Sequence, residues 1–368
     1  MYKRKIVHTG PFDPLLGDGV SSSTFDLLRF LNSRGHEVFI ISFMPNNAKT
    51  RQILDMINPL RTEILSKGKN HCDFIMSGIN VHYELLSLAR DEIISCNPLA
   101  LNHYLKKIQE YSDGYFLTID TDSTCLVAHS ILGTSSAHFI HSPAKSIGLF
   151  DSDAMLQKIL RKQTVFTVSK HSQMALWKTL SVHSHVWPPF IDPTRYKFPR
   201  RYLGERKSGY YSAGPHKGDN IINLLVKELP DHKFVIMGKN PNPAGNSPNV
   251  KYLRNTTNMN SFYGEISLLL VPSLIPEGYP RVIMEAAFNG IPTIANRIGG
   301  IPEVIGSSGI LIEMESPDKM VEKYKLAIVD LLNNQEKYKE YSNKALARAE
   351  IYRTEMEQLS IGYDELFF

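Results

Sequence analysis

The chain is 368 residues long, with 42% hydrophobic and 21% charged residues and a formal net charge of +4. At roughly 150 residues per domain this length predicts two domains, each large enough to bury its own core. The composition excludes a disordered, collagen-like or membrane-spanning chain, and so small a charge excess does not call for nucleic acid. Cys72, Cys96 and Cys125 are scattered without C-x-x-C spacing, which argues against a disulfide framework or zinc site and for a reducing cytoplasm. The opening MYKRKIVHTG is charged but has no apolar run long enough for a signal segment, and no window approaches the roughly 18 apolar residues of a spanning helix.

Short apolar runs then alternate with helical patterns, the signature of βα units on a parallel sheet. Lys5 to His8 reads as a first strand. The polar loop Gly10 to Gly19 leads into a helix marked by Leu27, Leu28 and Leu31, with Ser21 to Ser23 as caps and Gly35 as its stop. Val38 to Phe43 (VFIISF), apolar except at Ser42, reads as a strand buried on both faces. Tyr115 to Ile119, Ala137 to Ile140 and Thr164 to Val168 read as further strands, while Lys67 to Cys96 fits neither period cleanly.

Pro188, Pro189, Pro193 and Pro199 interrupt the rhythm and mark an interdomain linker. Lys197, Arg200, Arg201, Arg206 and Lys207, opposed by Glu205, follow it as either a solvated linker or a surface for an anionic membrane or charged acceptor. The second half restarts the pattern with strands at Tyr210 to Ala213, Phe234 to Met237, Leu268 to Val271, Thr293 to Ala295 and Gly309 to Ile312. A helix carrying Ile221, Ile222, Leu225 and Leu229 follows the first of these strands, and from Asp318 the chain is helical by composition.

The segment from Val271 to Glu303, VPSLIPEGYPRVIMEAAFNGIPTIANRIGGIPE, carries the most chemistry. Glu277 follows a buried strand, and Gly278, Tyr279 and Pro280 open a helix with Glu285 about one turn inside it. A helix start behind a glycine loop presents free backbone N–H groups to an anion, and a carboxylate there can accept two hydrogen bonds from a diol such as a ribose.

Glu277 and Glu285, followed by Gly290-Ile-Pro292 and Gly299-Gly300-Ile-Pro-Glu303, resemble the E-x7-E segment of retaining glycosyltransferases of the GT-B fold, most closely family 4. Gly35-His36-Glu37-Val38, Thr167-Val168-Ser169, Pro189-Phe-Ile191-Asp192 and Gly214-Pro-His-Lys217-Gly218 extend the resemblance along most of the chain. It implies an α/β chain of GT-B architecture, two Rossmann-like domains facing across a cleft. Residues 1–190 would form the acceptor-binding domain and 191–352 the linker and donor-binding domain, with 353–368 a helix crossing back to the first domain. The implied reaction is transfer of a sugar from a nucleotide diphosphate sugar, UDP or GDP first, to an acceptor hydroxyl on a glycan, lipid-linked or small molecule. No cofactor, no metal and no nucleic acid are expected, and the location implied is cytoplasmic, peripheral at the inner face of a membrane.

By the same resemblance Lys217 neutralises the leaving diphosphate, Glu277 contacts the donor sugar and Glu285 the ribose. Gly214, Gly278, Tyr279 and Pro280 bring backbone to the donor, and Gly19 does so from the first domain. The family usually carries an arginine a few residues before its lysine, following the glycine; here Pro215 and His216 occupy that gap and the loop is shorter. His141 resembles a strand-end histidine of the family on the acceptor or sugar side. Asp120-Thr121-Asp122 has the D-x-D form of a metal site in the other glycosyltransferase architecture, GT-A, but it falls in the first half, where a helix cap or an acceptor-side role for Asp120 fits better. Two rivals stand beside the transferase: a nucleotide-sugar epimerase with Asp120, Asp122 or His141 as its base, and a binding scaffold without turnover.

Overall fold

Runs such as Val38–Phe43, apolar except for the buried Ser42, and Leu268–Val271 are rich in apolar residues because both faces of the strand are covered, and they lie near the centres of the two sheets. The computed structural model describes residues 3–10, 19–57, 62–119, 123–141, 153–196, 206–238, 244–254 and 259–361. The chain divides into two compact units, Met1–Phe190 and Ile191–Leu366.

The first unit runs β1 (Lys5–Thr9), α1 (Gly19–Ser33), β2 (Glu37–Pro45), α2 (Ala48–Ile57), β3 (Thr62–Lys67), β4 (His71–Met76), β5 (Ile79–Leu86), α3 (Arg90–Ile94) and α4 (Pro98–Glu110). It continues with β6 (Tyr115–Ile119), α5 (Ser123–Leu132), β7 (Ser136–Ile140), α6 (Asp153–Leu160), β8 (Thr164–Thr167), α7 (Lys170–Leu180) and β9 (His185–Val186). Its sheet has the order β3-β4-β5-β2-β1-β6-β7-β8-β9. The strands from β5 to β9 are parallel, while β3, β4 and β5 form an antiparallel meander on one edge. The chain therefore reverses its direction of travel across the sheet between β1 and β6.

The second unit runs β10 (Ser208–Ser212), α8 (Asp219–Glu228), β11 (Phe234–Gly238), β12 (Val250–Leu253), α9 (Asn260–Tyr263), β13 (Leu268–Val271) and α10 (Arg281–Phe288). Then come β14 (Thr293–Asn296), α11 (Ile301–Ile305), β15 (Gly309–Ile312), α12 (Pro317–Asn333) and α13 (Gln335–Ile361). All six strands are parallel in the order β12-β11-β10-β13-β14-β15, the doubly wound pattern with its switch point between β10 and β13. Ile221, Ile222 and Leu225 of α8 join Tyr324, Ile328 and Leu331 of α12 in one buried cluster with Tyr210, Leu268 and Leu270 of the strands. α10 packs along α13, where Ser342 Oγ donates to Gly290 O at 2.8 Å.

Several local expectations change. Ser21 to Ser23 are not caps: α1 already begins at Gly19, and Ser23 Oγ donates back to Gly19 O at 2.8 Å inside the helix. The stretch that fitted neither period contains β4 and β5, whose burial alternates residue by residue because one face is half-covered. Residues 353–361 continue α13 instead of starting a new helix, and 362–368 lie outside the described residues. So do Lys197, Arg200, Arg201 and Glu205 of the basic cluster, Gly17 and Asp18, and Asp120, Thr121 and Asp122. No helix among the described residues is long and apolar enough to cross a membrane.

Candidate functional site

The carboxyl ends of β10 and β13 are neighbours at the switch point of the second sheet, and the loops leaving them carry the charged residues singled out by sequence. After β10, Gly214 at φ 122° turns the chain into the single 3-10 turn Pro215–Lys217, and Gly218 at φ 96° passes it into α8. Only glycine fits at 218: a Cβ there would sit 2.2 Å from Pro272 O, at the end of β13. That close approach, with Leu274 N donating to His216 O at 2.9 Å, fixes the lysine loop against the glutamate loop.

The consequence is a direct ion pair. Lys217 Nζ lies 2.6 Å from Glu277 Oε2, with their side chains 27% and 13% exposed. Ser273 Oγ donates to the other carboxylate oxygen. Ser273 is itself held through its carbonyl, which accepts from Asn296 Nδ2 at 3.0 Å, while Tyr324 OH donates to Asn296 Oδ1 at 3.0 Å. A buried hydrogen-bonded chain thus runs from α12 through β14 to the Glu277 carboxylate.

The double glycine closes the same site from behind. Gly300 N donates to Glu277 O at 2.7 Å, and a Cβ on Gly300 would lie 2.0 Å from Gly278 O. A Cβ on Gly299, at φ 60°, would lie 2.4 Å from Glu277 N. These glycines shape the backbone of the E-G-Y-P loop. Pro280 is the N-cap of α10. The Tyr279 hydroxyl is buried without a hydrogen-bond partner among the described residues, and burial pushes its pKa up.

Glu285 is 5% exposed, and its carboxylate accepts three hydrogen bonds. Its Oε1 accepts from Tyr196 OH at 3.1 Å and from Arg281 Nε at 3.3 Å, and its Oε2 accepts from Tyr263 OH at 2.8 Å. Burial, and then the negative charge of Glu285, pushes the Tyr263 pKa well up, so its hydroxyl stays a donor. Arg281 is spent on this buried cluster. Two residues after Gly214 stands His216, whose ring would meet a Cβ on that glycine at 3.2 Å.

In the first unit Gly19 is the first residue of α1, and the preceding residues 11–18 lie outside the described residues, as does Asp120. His141 leaves the end of β7 and lines a small cavity with His8, Thr118, Phe139, Trp187 and Phe190. Burial holds the imidazole of His8 down to about 4, so it is neutral there at pH 7. No group of three His, Cys, Asp or Glu residues that could hold a metal ion occurs among the described residues. Sequence reasoning missed Tyr196, Tyr263, Asn296 and Asp219. Asp219 accepts from Tyr210 OH at 2.6 Å and Ser212 Oγ at 2.8 Å and ties β10 to α8.

Residues 219–334 match the family described as glycosyl transferases group 1. An uncharacterized glycosyltransferase of Methanocaldococcus jannaschii is 31% identical over 134 residues, 33% of this chain and 36% of that one. Protein CapJ of Staphylococcus aureus is 30% identical over 120 residues, 33% of this chain and 29% of the relative. The chain thus spans only about a third of the length of these curated relatives. Among solved structures, sucrose-phosphate synthase from Thermosynechococcus elongatus superposes with a TM-score of 0.75 at 14% identity, over 99% of both chains. This chain has the GT-B fold. The Anabaena protein HepE, solved in complex with UDP and glucose, superposes at a TM-score of 0.68 and 17% identity over 97% of this chain and 99% of that one.

Proposed function

We propose that the chain is a retaining, metal-independent glycosyltransferase that moves a sugar from a nucleoside diphosphate to an acceptor hydroxyl. The observation that carries this reading is the Lys217–Glu277 pair at the β10/β13 switch point, with Glu277 inside the segment that matches the glycosyl transferases group 1 family and Lys217 just before it. Open α/β sheets bind ligands beyond the carboxyl ends of their strands at such a point.

The pair explains how the site could wait for a donor. In the free protein Lys217 neutralises Glu277; a diphosphate offers the lysine a denser negative charge and draws it away. The charge on the departing diphosphate grows as the glycosidic bond breaks, so a cation fixed beside it stabilises the transition state more than the bound donor. Glu277 keeps the Ser273 hydroxyl and turns its released oxygen to the hydroxyls of the donor sugar. The acceptor hydroxyl attacks from the face the diphosphate leaves, and the departing phosphate oxygen takes its proton. Gly278, Tyr279 and Pro280 supply backbone to the donor. Glu285 is the ribose contact on this reading: a carboxylate has about four acceptor positions, and three are already filled, which leaves one for a ribose hydroxyl.

UDP-sugars are the first donors to try, because HepE was solved with UDP and glucose. The test is a thermal-shift screen against UDP-, GDP-, ADP- and TDP-sugars, with and without EDTA, since a ligand that binds only the native state raises its apparent stability. A rise with one nucleotide, unchanged by EDTA, supports the reading, and an EDTA-sensitive rise contradicts its metal independence. Nucleotide release that needs an acceptor separates the transferase from an epimerase or a scaffold.

A further inference from the structure

Between Asp153 and Asp192 the sequence holds Lys158, Arg161, Lys162, Lys170 and Lys178 and not one Asp or Glu. The fold gathers these charges on one surface of the first unit. On α7 the exposed residues Lys170, Met174, Trp177 and Lys178 recur at helical spacing and share one stripe, while Leu176 and Leu180 face the core. On α6 and the turn after it, Met155, Lys158, Arg161 and Lys162 do the same opposite buried Leu156, Ile159 and Leu160. Gln157 Nε2 donates to Leu180 O at 2.6 Å and an Arg161 Nη to Ser181 O at 3.3 Å, which locks the carboxyl-terminal ends of the two helices side by side.

Three large apolar side chains stand exposed among these charges. Met155 is 48%, Met174 57% and Trp177 48% exposed, and the Trp177 ring lies 4.5 Å from the exposed imidazole of His183. Tryptophan with its polar N–H, flexible methionine and long basic side chains that can bury their methylenes while keeping the charge in water suit the boundary between headgroups and acyl chains.

We propose that the α6–α7 face is a docking surface for an anionic lipid bilayer. After Asp153 at the start of α6 the charge is one-signed to Ile191, which favours an anionic partner, and the exposed Met and Trp side chains between the charges favour one with an apolar layer beneath its anionic surface over a purely charged polymer. This assignment is independent of the sugar-transfer reading: it uses none of that site's residues and holds whatever the second unit binds.

The chain reports on the interaction itself. It has two tryptophans, Trp177 on this face and Trp187, which is 2% exposed in the core. Vesicles of equimolar phosphatidylglycerol and phosphatidylcholine should pellet the protein and shift its emission to the blue, and pure phosphatidylcholine should do neither. Raised salt should release it. The triple variant Lys158→Gln, Arg161→Gln, Lys162→Gln should bind about 100-fold more weakly, from about fivefold per charge, equivalent to about 1 kcal/mol for each Lys or Arg near an anionic surface. Trp177→Phe should pellet but lose the blue shift, and Trp177→Ser with Met174→Ser should lose most of the binding. All these positions are exposed, so far-UV circular dichroism should match wild type. Equal pelleting with neutral vesicles, wild-type binding by the triple variant, binding to a single-stranded polynucleotide without binding to vesicles, or self-association through this face would each overturn the proposal.

Discussion

Replacing Glu285 by Gln separates a carboxylate that holds the fold from one that waits for ligand. The wild-type side chain is 5% exposed and accepts from Tyr196, Tyr263 and Arg281, of which Arg281 is itself 6% exposed. Glutamine keeps one acceptor oxygen but removes the negative charge beside the buried guanidinium. Breaking one side of a buried ion pair costs about 3–5 kcal/mol, and hydrogen bonds to a charged acceptor contribute about 1.5–3 kcal/mol each, part of which the amide recovers. The expected loss is therefore about 3–4 kcal/mol, a large share of the roughly 5–15 kcal/mol that stabilises a typical domain. Urea unfolding followed by far-UV circular dichroism reads it directly, and nucleotide affinity measured below the transition reads any separate ligand role. A variant within about 1 kcal/mol of wild type would refute the argument, because it would mean that the three donors do not depend on the carboxylate.

The other predictions concern the frame of the site and its titration. Gly300→Ala should lower turnover more than tenfold with an unchanged circular dichroism spectrum, because the new Cβ drives into Gly278 O and moves the glutamate loop; normal kinetics would contradict this. Ser273→Ala should cost about tenfold in kcat, about 1.4 kcal/mol for a lost hydrogen bond to a carboxylate, while Ser273→Thr retains the hydroxyl and should recover much of it. Stability should peak near neutrality. His8 is held down to about 4 and His129 and His138 to about 3, by burial first, so their contribution is complete above the ordinary value of 6.5 and is lost as pH falls below it. His82 acts oppositely: burial lowers its pKa, but the Glu84 carboxylate 3.7 Å from its Nε2 and the hydrogen bond to Asp73 outweigh that and raise it, so its contribution is complete below 6.5 and is lost as pH rises through the raised folded value. His82→Gln should flatten the alkaline limb of the urea midpoint against pH and leave the acid limb; an unchanged alkaline limb would count against the pairing.

Much of the fold was legible because the core strands are apolar at consecutive positions and glycines mark the turns. Gly35, at φ 92°, stops α1 where the sequence placed the stop. The β4–β5 hairpin escaped because each strand is covered on one face only, so its polar residues His71, Asp73, His82 and Glu84 diluted the apolar signal. The local cue was present in Ser77-Gly78, both at positive φ as a tight two-residue hairpin turn requires. At the candidate site, Lys217 and Glu277 were found by local motifs, but their contact was not, because it depends on β10 and β13 lying side by side although β11 and β12 separate them in sequence. Tyr196 and Tyr263 stand in no motif at all; tertiary packing alone brings them to Glu285.

The most direct test of the proposed function is calorimetric titration of UDP-glucose, or of whichever nucleotide sugar stabilises the protein, into wild type and Lys217→Ala. With the cation gone the diphosphate loses its charge-assisted contact, so affinity should fall at least tenfold, about 1.4 kcal/mol or more, while the unfolding midpoint without ligand stays within about 1 kcal/mol of wild type because the lost ion pair is partly exposed. Equal affinity in the two proteins, or no binding of any nucleotide sugar to wild type, would contradict the assignment of this loop to the donor diphosphate.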